Sequence, residues 1–270
     1  MPSPRAQVTK IAHGSERRFA TGRSVVALIL REMATSYGRS PGGYAWAILE
    51  PLGGILVLSF GMSILIRTPP IGNSFQLFFA TAFLIFTMYQ QLSSTIGRSI
   101  NFSRALLFYP AVTWVDAVLA RFILGTLTNI VVMALLFTGL IMTIESNAQL
   151  DISAITEAVL LTAFLGLGIG TLNCVLLGLF TAWMQIWGIA NKPLFFISGT
   201  FFLYEDMPTS LQNILWYNPL LHLTGLMRRG FYSTYEASYV SIGYVSAISG
   251  ICLFFGVVLL GRFHRVILNR

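Results

Sequence analysis

The side chains of this chain that could do chemistry stand mostly inside or beside long apolar runs. Lys192 interrupts one run, where its ammonium could meet an anion such as phosphate or could extend to the membrane surface. Glu50, followed by Pro51, interrupts another run. A carboxylate in lipid is costly, which indicates either a function or a shallow position that reaches water. A set of aromatic side chains beyond Lys192 offers ring faces for stacking, although each could equally face lipid: Phe195, Phe201, Tyr204, Trp216 and Tyr217.

Catalysis by the chain itself is not predicted. The sequence has no P-loop, no H-E-x-x-H and no Cys/His cluster, and its three histidines are scattered. Gly166 and Gly170 belong to a glycine-rich segment in the middle of an apolar run, so they favour close helix packing over nucleotide binding. We expect no enzyme activity, no metal and no cofactor in this chain. Uphill transport would draw on a partner or on an ion gradient.

Composition places the chain among helical membrane proteins. Of its 270 residues 55% are hydrophobic and 10% are charged, whereas roughly a quarter are charged in soluble domains. Its excess of Lys and Arg could suggest nucleic acid in a soluble protein, but here the placement of these residues bears on topology. Apolar runs long enough to cross a bilayer predict an all-α protein with six transmembrane helices. The spans are predicted at 44–66, 75–96, 117–142, 156–182, 184–204 and 241–261.

Shorter elements flank these spans. Residues 1–22 are polar and basic and are predicted to form a cytoplasmic tail, and residues 264–270 form a second one. Over 23–43, an apolar repeat at helical spacing among arginines predicts an amphipathic helix on the membrane surface, closed by Ser-Pro-Gly-Gly. This division leaves 44–263 as the six-helix transmembrane domain.

The stretch before the last span is broken. Glu205-Asp206-Met207-Pro208 ends the fifth span, and Asn218-Pro219 divides the next apolar stretch into two segments too short to cross a bilayer. Because non-helical backbone survives at membrane depth only inside protein or beside a water-filled cavity, we predict a re-entrant pair of helices here. Arg228 and Arg229 could tether this pair to anionic lipid or a partner, or could form a solvated face.

The distribution of basic residues predicts the orientation. With six spans, the two termini share one side with the connectors at 97–115 and around 183, and these segments hold most of the Lys and Arg residues. The opposite loops carry more acidic residues and a belt of Tyr and Trp. By the positive-inside rule, both termini are predicted to lie in the cytoplasm.

Three stretches, taken in order, resemble ABC-2 type polysaccharide export permeases. The first runs from Arg31-Glu32-Met33 through Tyr44-Ala45-Trp46 to Glu50-Pro51-Leu52, and the second is KPLFFISG at 192–199. The third comprises Met207-Pro208, Trp216-Tyr217-Asn218-Pro219-Leu220 and Arg228. The similarity covers nearly the whole chain. It is strongest to the inner-membrane permease of group 2 capsule export, with O-antigen permeases as close relatives.

The resemblance implies a homodimer in a bacterial inner membrane. Each subunit would engage a separate cytoplasmic ABC ATPase, which binds ATP and Mg. The cargo would be a lipid-linked polysaccharide, passed in capsule systems to a periplasmic adaptor and an outer-membrane channel. No role for nucleic acid is implied.

The resemblance also suggests roles for residues. Arg98, Asn101 and Arg104 would lie in a coupling helix that docks on the ATPase, although they could belong to an ordinary positive-inside loop. Arg31 and Glu32, in the surface helix, would join them in receiving the ATPase stroke. Lys192 and the aromatic set, namely Phe195, Phe201, Tyr204, Trp216 and Tyr217, would line the path of the sugar.

Two other classes stay open on the sequence. An ABC-2 exporter of small molecules would share the six-span plan. A secondary transporter would often show internal repeats with paired broken helices and, if driven by protons, intramembrane acids such as Glu50. The sequence shows no matching halves.

Overall fold

The computed structural model describes residues 20–36, 43–108, 112–144 and 150–269, and all regular structure in these ranges is helical. This confirms the all-α fold class. The helices are α1 (Ala20–Ser36), α2 (Tyr44–Leu65), α3 (Phe75–Gly97), α4 (Ser99–Leu107), α5 (Trp114–Thr143), α6 (Ile152–Leu179), α7 (Trp183–Phe195), α8 (Thr209–Leu215), α9 (Pro219–Phe231) and α10 (Ile242–Leu268). A π-helical turn, Phe196–Thr200, follows α7, and a 3₁₀ turn, Tyr204–Asp206, precedes α8.

Among the described residues, five helical segments are long and apolar enough to span a membrane: α2, α3 together with α4, α5, α6 and α10. The count of six predicted from the sequence is therefore not confirmed. The predicted span at 184–204 is a 13-residue helix, α7, followed by the π turn. Gly199 in that turn has φ 77°, a left-handed conformation that interrupts a right-handed helix.

The predicted boundaries of the flanking segments shift. Residues 1–19, 37–42 and 270 lie outside the described part, so most of the N-terminal tail and the first three residues of Ser-Pro-Gly-Gly are not described. Helix α1 begins at Ala20, inside the predicted tail, and α10 continues to Leu268, inside the predicted C-terminal tail.

Helix starts follow from local capping. Thr113 accepts a hydrogen bond from the backbone N–H of Asp116, whose carboxylate accepts one from the Thr113 N–H, and this capping box begins α5. Asp151 caps α6, and Asn218 caps α9 at the Asn-Pro pair that the sequence identified as a break.

Helix α3 is the centre of the core, since its side chains pack against α2, α5, α6 and α9. Glycine contacts bring α6 close to its neighbours. An added Cβ at Gly166 would lie 2.8 Å from the Cβ of Leu92, and one at Gly170 would lie 2.7 Å from the Cβ of Ile96. The predicted close helix packing through these two glycines is thereby confirmed.

Outer surfaces of the bundle are apolar. On α2, Val57, Phe60 and Ile64 are 71%, 71% and 70% exposed, which is the pattern of a helix that faces lipid or another protein chain. Helix α1 buries Val25 and Leu28 against Ala120 of α5, so it is anchored to the bundle by its apolar face.

Candidate functional site

A buried ion pair joins α1 to α5 at the end that the sequence places in the cytoplasm. Arg121 and Glu32 lie 3.2 Å apart, with side chains that are 7% and 10% exposed. Arg121 also donates a hydrogen bond of 2.6 Å to the backbone oxygen of Thr95 at the end of α3. The Arg121 guanidinium lies 4.1 Å from the ring centroid of Phe102 in α4. One side chain thus connects four helices.

Burial sets the electrostatics of this junction. Loss of solvent raises the pKa of the Glu32 carboxyl above its ordinary value, and the attraction of Arg121 and Arg31 offsets only part of that rise. The pair is therefore held by the surrounding helices rather than being a strong net source of stability.

The predicted coupling residues fall into two groups. Glu32, Arg98 and Asn101 line one cavity of about 650 Å³ between α1, α4, α5 and the α6–α7 turn. Arg31 is exposed beside it, with its guanidinium 5.6 Å from the Phe102 ring centroid. Arg104 is exposed in the last turn of α4 and does not line the cavity.

Arg121 and Phe102 complete this junction but were not among the predicted site residues. Arg121 gave a usable signal, because a guanidinium at the fifth position of the apolar span predicted at 117–142 needs a partner inside the protein or at its surface. Phe102 gave none, since an aromatic residue in a basic connector is unremarkable.

The predicted path aromatics form two separate clusters. Phe195 packs on α3, with its ring centroid 4.9 Å from that of Phe86, and Phe201 packs 5.9 Å from Phe79. The Phe195 and Phe201 rings lie 5.6 Å apart. These two side chains therefore tie the break after α7 to the core, and both are half-buried.

The second aromatic cluster surrounds α8 and α9. Tyr204 stacks on Tyr239 at 4.2 Å, and Trp216 lies 4.8 Å from Tyr244. Trp216 also donates its indole N–H to the backbone oxygen of Tyr239 at 3.2 Å. Tyr217 is 69% exposed, which leaves its ring the most accessible of the predicted set.

Lys192 stands apart from the second cluster. It is exposed on α7, three residues before Phe195, and forms no ion pair within the described part of the chain. The structure of the single chain thus does not bring the six predicted path residues into one pocket.

Arg228 is the clearest correction to the sequence interpretation. It is 1% exposed, so it neither tethers lipid nor forms a solvated face. Its guanidinium donates a 3.0 Å hydrogen bond to the backbone oxygen of Phe202 and lies 4.1 Å from the Phe78 ring centroid. Arg229 is partly exposed and sits 3.9 Å from Glu157 in a surface ion pair, and its tethering role stays a prediction.

The break after α7 is held by side chains of α9 and its cap. The Asn218 amide donates a 3.0 Å hydrogen bond to the backbone oxygen of Ile197, inside the π turn. Together with the bond from Arg228 to Phe202, this satisfies carbonyl groups that the interrupted helix leaves free.

Sequence reasoning missed a polar cleft between α2, α3 and α5. The cleft has a volume of about 410 Å³, and Glu50, which is exposed, lines it together with polar side chains. These side chains include Thr87, Gln90, Gln91 and Asn129. Polar side chains inside otherwise apolar runs were the available signal.

The described residues contain no group of three potential metal ligands. Five long apolar helices in this part of the chain define a polytopic α-helical membrane protein. The profile of the ABC-2 type transporter family matches residues 23–232, and the chain belongs to that family.

Several named relatives align along nearly the whole chain. The polysialic acid transport protein KpsM of Escherichia coli is 32% identical over 241 residues, covering 87% of this chain and 92% of that protein. The capsule polysaccharide export inner-membrane protein CtrC of Neisseria meningitidis serogroup B is 29% identical over 247 residues, covering 90% and 92%. The protein of the same description from Haemophilus influenzae, BexB, is 27% identical over 248 residues, with coverage of 90% and 92%.

Proposed function

We propose that this chain is the inner-membrane permease subunit of an ABC exporter that moves lipid-linked capsular polysaccharide. The observation that carries the proposal is the alignment of capsule export permeases over 92% of their own length. Family membership alone would fit many cargoes, whereas these relatives are named for capsule or polysialic acid export.

The proposal includes a membrane arrangement. Helix α7 and its π turn form the sixth membrane-crossing segment, α1 lies at the cytoplasmic interface, and α8 and α9 form a re-entrant pair. Both termini are then cytoplasmic. The exposed apolar side chains of α2 and the burial of α1 by one face support this arrangement.

Energy comes from a separate ATPase, which binds ATP and Mg, because the sequence lacks a P-loop. Helix α4, with Arg98, Asn101 and Arg104, docks on that subunit, and Arg31 and Glu32 of α1 follow its movement. The contact of Arg121 with α1, α3 and α4 supports this role, since displacement of α4 must act on the buried ion pair.

Cargo passes between two copies of the chain. The exposed faces of α2 and α7 are the surfaces that we assign to pairing. Lys192 and Tyr217 are the predicted path residues with the most open side chains. The other four predicted path residues position the path rather than line it, because their rings already pack within the chain: Phe195, Phe201, Tyr204 and Trp216. A periplasmic adaptor and an outer-membrane channel receive the polysaccharide.

The test is purification of the tagged full-length chain from its native membrane, with mass spectrometry of associated proteins and glycolipids. An ABC ATPase in equal amounts, with a lipid-linked capsular polysaccharide, is the expected result. An O-antigen glycolipid would replace the capsule assignment, and an ATPase with a small-molecule cargo would refute polysaccharide export. Absence of any ATPase would refute the proposed power source.

A matched pair of variants tests the docking surface. Arg104→Glu should lower ATPase recovery because it reverses an exposed charge in α4, whereas Arg265→Glu reverses an exposed charge near the end of α10 and should leave recovery unchanged. Equal recovery from both variants would exclude Arg104 from the docking surface.

A further inference from the structure

The cavity beside the Glu32–Arg121 pair has two kinds of wall. Polar and basic groups from α3, α4 and α5 line one part, including Arg98, Asn101 and Arg121. Apolar side chains line another part, namely Phe102, Leu177 and Met184. Phe102 is 39% exposed and Met184 is 58% exposed, so this apolar wall is open rather than closed into the core.

The basic part of the cavity is fixed in place. The Arg98 guanidinium donates hydrogen bonds to the backbone oxygen of Ser94 at 3.3 Å and to its hydroxyl at 2.6 Å. These bonds use two of the five N–H groups of an arginine, and Arg98 is exposed. Its remaining donors are therefore presented without the freedom of an unanchored side chain.

Arg121 contributes a buried donor that lacks an acceptor. It is 6% exposed, and its Nε has no hydrogen-bond partner within the described part of the chain. Glu32 occupies another nitrogen of the same guanidinium. Two guanidinium groups thus share the cavity with one carboxylate, and the excess charge is positive.

An anion that enters from the open side would accept hydrogen bonds from the free donors of Arg98 and would offset the excess positive charge beside Arg121. The predicted topology places this cavity at the cytoplasmic interface, the depth of phospholipid headgroups. Basic pockets between helices at this depth suit anionic headgroups.

We propose that this cavity binds one anionic phospholipid, with its phosphate between Arg98 and Arg121 and an acyl chain along Phe102 and Met184. The apolar wall distinguishes this ligand from a free phosphate or a nucleotide, which would leave these two exposed side chains uncovered. The site stands independently of the cargo assigned above.

Such a lipid would contact both α4 and α7. It contacts α4, which carries the proposed ATPase docking residues, and the start of α7, which leads to the break at Gly199. The bound lipid therefore fills the space between these helices and ties the position of α4 to that of α7.

Native mass spectrometry of the full-length protein tests the site. The protein is released from nanodiscs that hold equal amounts of phosphatidylglycerol and phosphatidylcholine, and retained lipids are identified by mass. The wild-type protein should retain phosphatidylglycerol preferentially. Arg98→Gln should reduce that retention about tenfold, the effect of losing charge-assisted hydrogen bonds to phosphate. Arg104→Gln removes the same charge from α4, the helix that Arg98 precedes, at a position outside the cavity, and should retain the lipid as the wild type does.

Further arms identify the ligand and protect against misfolding. Arg98→Lys keeps the charge and should retain an intermediate amount of lipid, which a collapsed site would not. Inorganic phosphate and glycerol 3-phosphate in solution should not displace phosphatidylglycerol, and displacement by either would overturn the role of the acyl chain. Equal retention in the wild type and Arg98→Gln would overturn the site. A glycan-bearing lipid in this cavity of the native protein would overturn the assignment to a membrane phospholipid.

Discussion

Breaking the Glu32–Arg121 pair from either side should have unequal effects. At a separation of 3.2 Å, the gross attraction is about 5 kcal/mol with an effective dielectric constant near 20. Desolvation opposes this attraction, as the raised pKa of Glu32 indicates. The net value of the pair is therefore small, while either partner left alone in a buried position is costly.

The remaining contacts decide the size of each loss. In Glu32→Leu, Arg121 keeps its hydrogen bond to Thr95 and its place on the Phe102 ring, so the free energy of unfolding should fall by about 2 kcal/mol. In Arg121→Met, Glu32 loses the one ion-pair partner that it has in the described structure, and the loss should reach about 4 kcal/mol. The double variant leaves no unpaired charge and should be more stable than Arg121→Met alone.

The assay is unfolding of the purified full-length protein in mixed micelles of increasing SDS content, with all four proteins of the cycle measured together. The coupling between the two substitutions should be about 2 kcal/mol or more and favour the double variant. Losses that simply add in the double variant would refute the reasoning. Recovery of the proposed ATPase with each purified variant tests whether the pair supports docking on α4.

Three further predictions concern helix packing, the break after α7 and the dependence of stability on pH. Gly256→Ala should lower the free energy of unfolding by about 1–3 kcal/mol, because the added Cβ would lie 2.8 Å from the Leu172 backbone nitrogen. Gly261→Ala is the control on the same helix. Its added Cβ would have nothing within 4 Å, so it should not lower the free energy of unfolding. Arg228→Ala should cost about 3 kcal/mol through loss of its bond to Phe202 and the volume of its side chain, and Arg228→Met should cost less. The native state holds the Glu32 proton more tightly than the unfolded state, because burial raises the pKa of this carboxyl above its ordinary value of 4.5. The free energy of unfolding of the wild type, minus that of Glu32→Gln, should therefore fall as the pH rises from 4.5 through the raised pKa.

The same micelle assay checks these predictions, with the pH series limited to conditions in which the protein stays monodisperse. Equal stabilities for the two glycine variants would contradict the close contact of α6 and α10. An Arg228→Ala variant as stable as the wild type would show that the buried guanidinium does not hold the break after α7. If the free energy of unfolding of the wild type minus that of Glu32→Gln stays constant or rises with pH, the raised pKa of Glu32 is contradicted.

Sequence reasoning worked best where spacing along one helix was sufficient. Four-residue spacing put Gly166 and Gly170 on one face of a helix, and the structure packs that face against α3. Spacing does not name the neighbour, so the contact of Gly168 with α10 on the other side of α6 was beyond it. Likewise Asn218 and the following proline predicted a break between two short apolar segments, and the structure begins α9 at that break.

Contacts between distant residues account for most of what was not predicted. Glu32 and Arg121 are far apart in the sequence, and only the packing of α1 on α5 brings them together. The position of Arg228 beside Arg229 in the sequence suggested an exposed cation. In the structure the Arg228 guanidinium is buried, where it packs on the Phe78 ring and donates a hydrogen bond to the Phe202 carbonyl. The predicted path residues separated for a similar reason, since Phe195 packs on α3 within the chain.

The capped break after α7 has a consequence for biosynthesis. The groups that cover its free carbonyls, the Asn218 amide and the Arg228 guanidinium, belong to a segment translated after the break itself. Until the ribosome has delivered α9, the backbone oxygens of Ile197 and Phe202 lack these two donors and need water or another partner. The break after α7 therefore gains these hydrogen bonds late in synthesis, when α9 folds against α3.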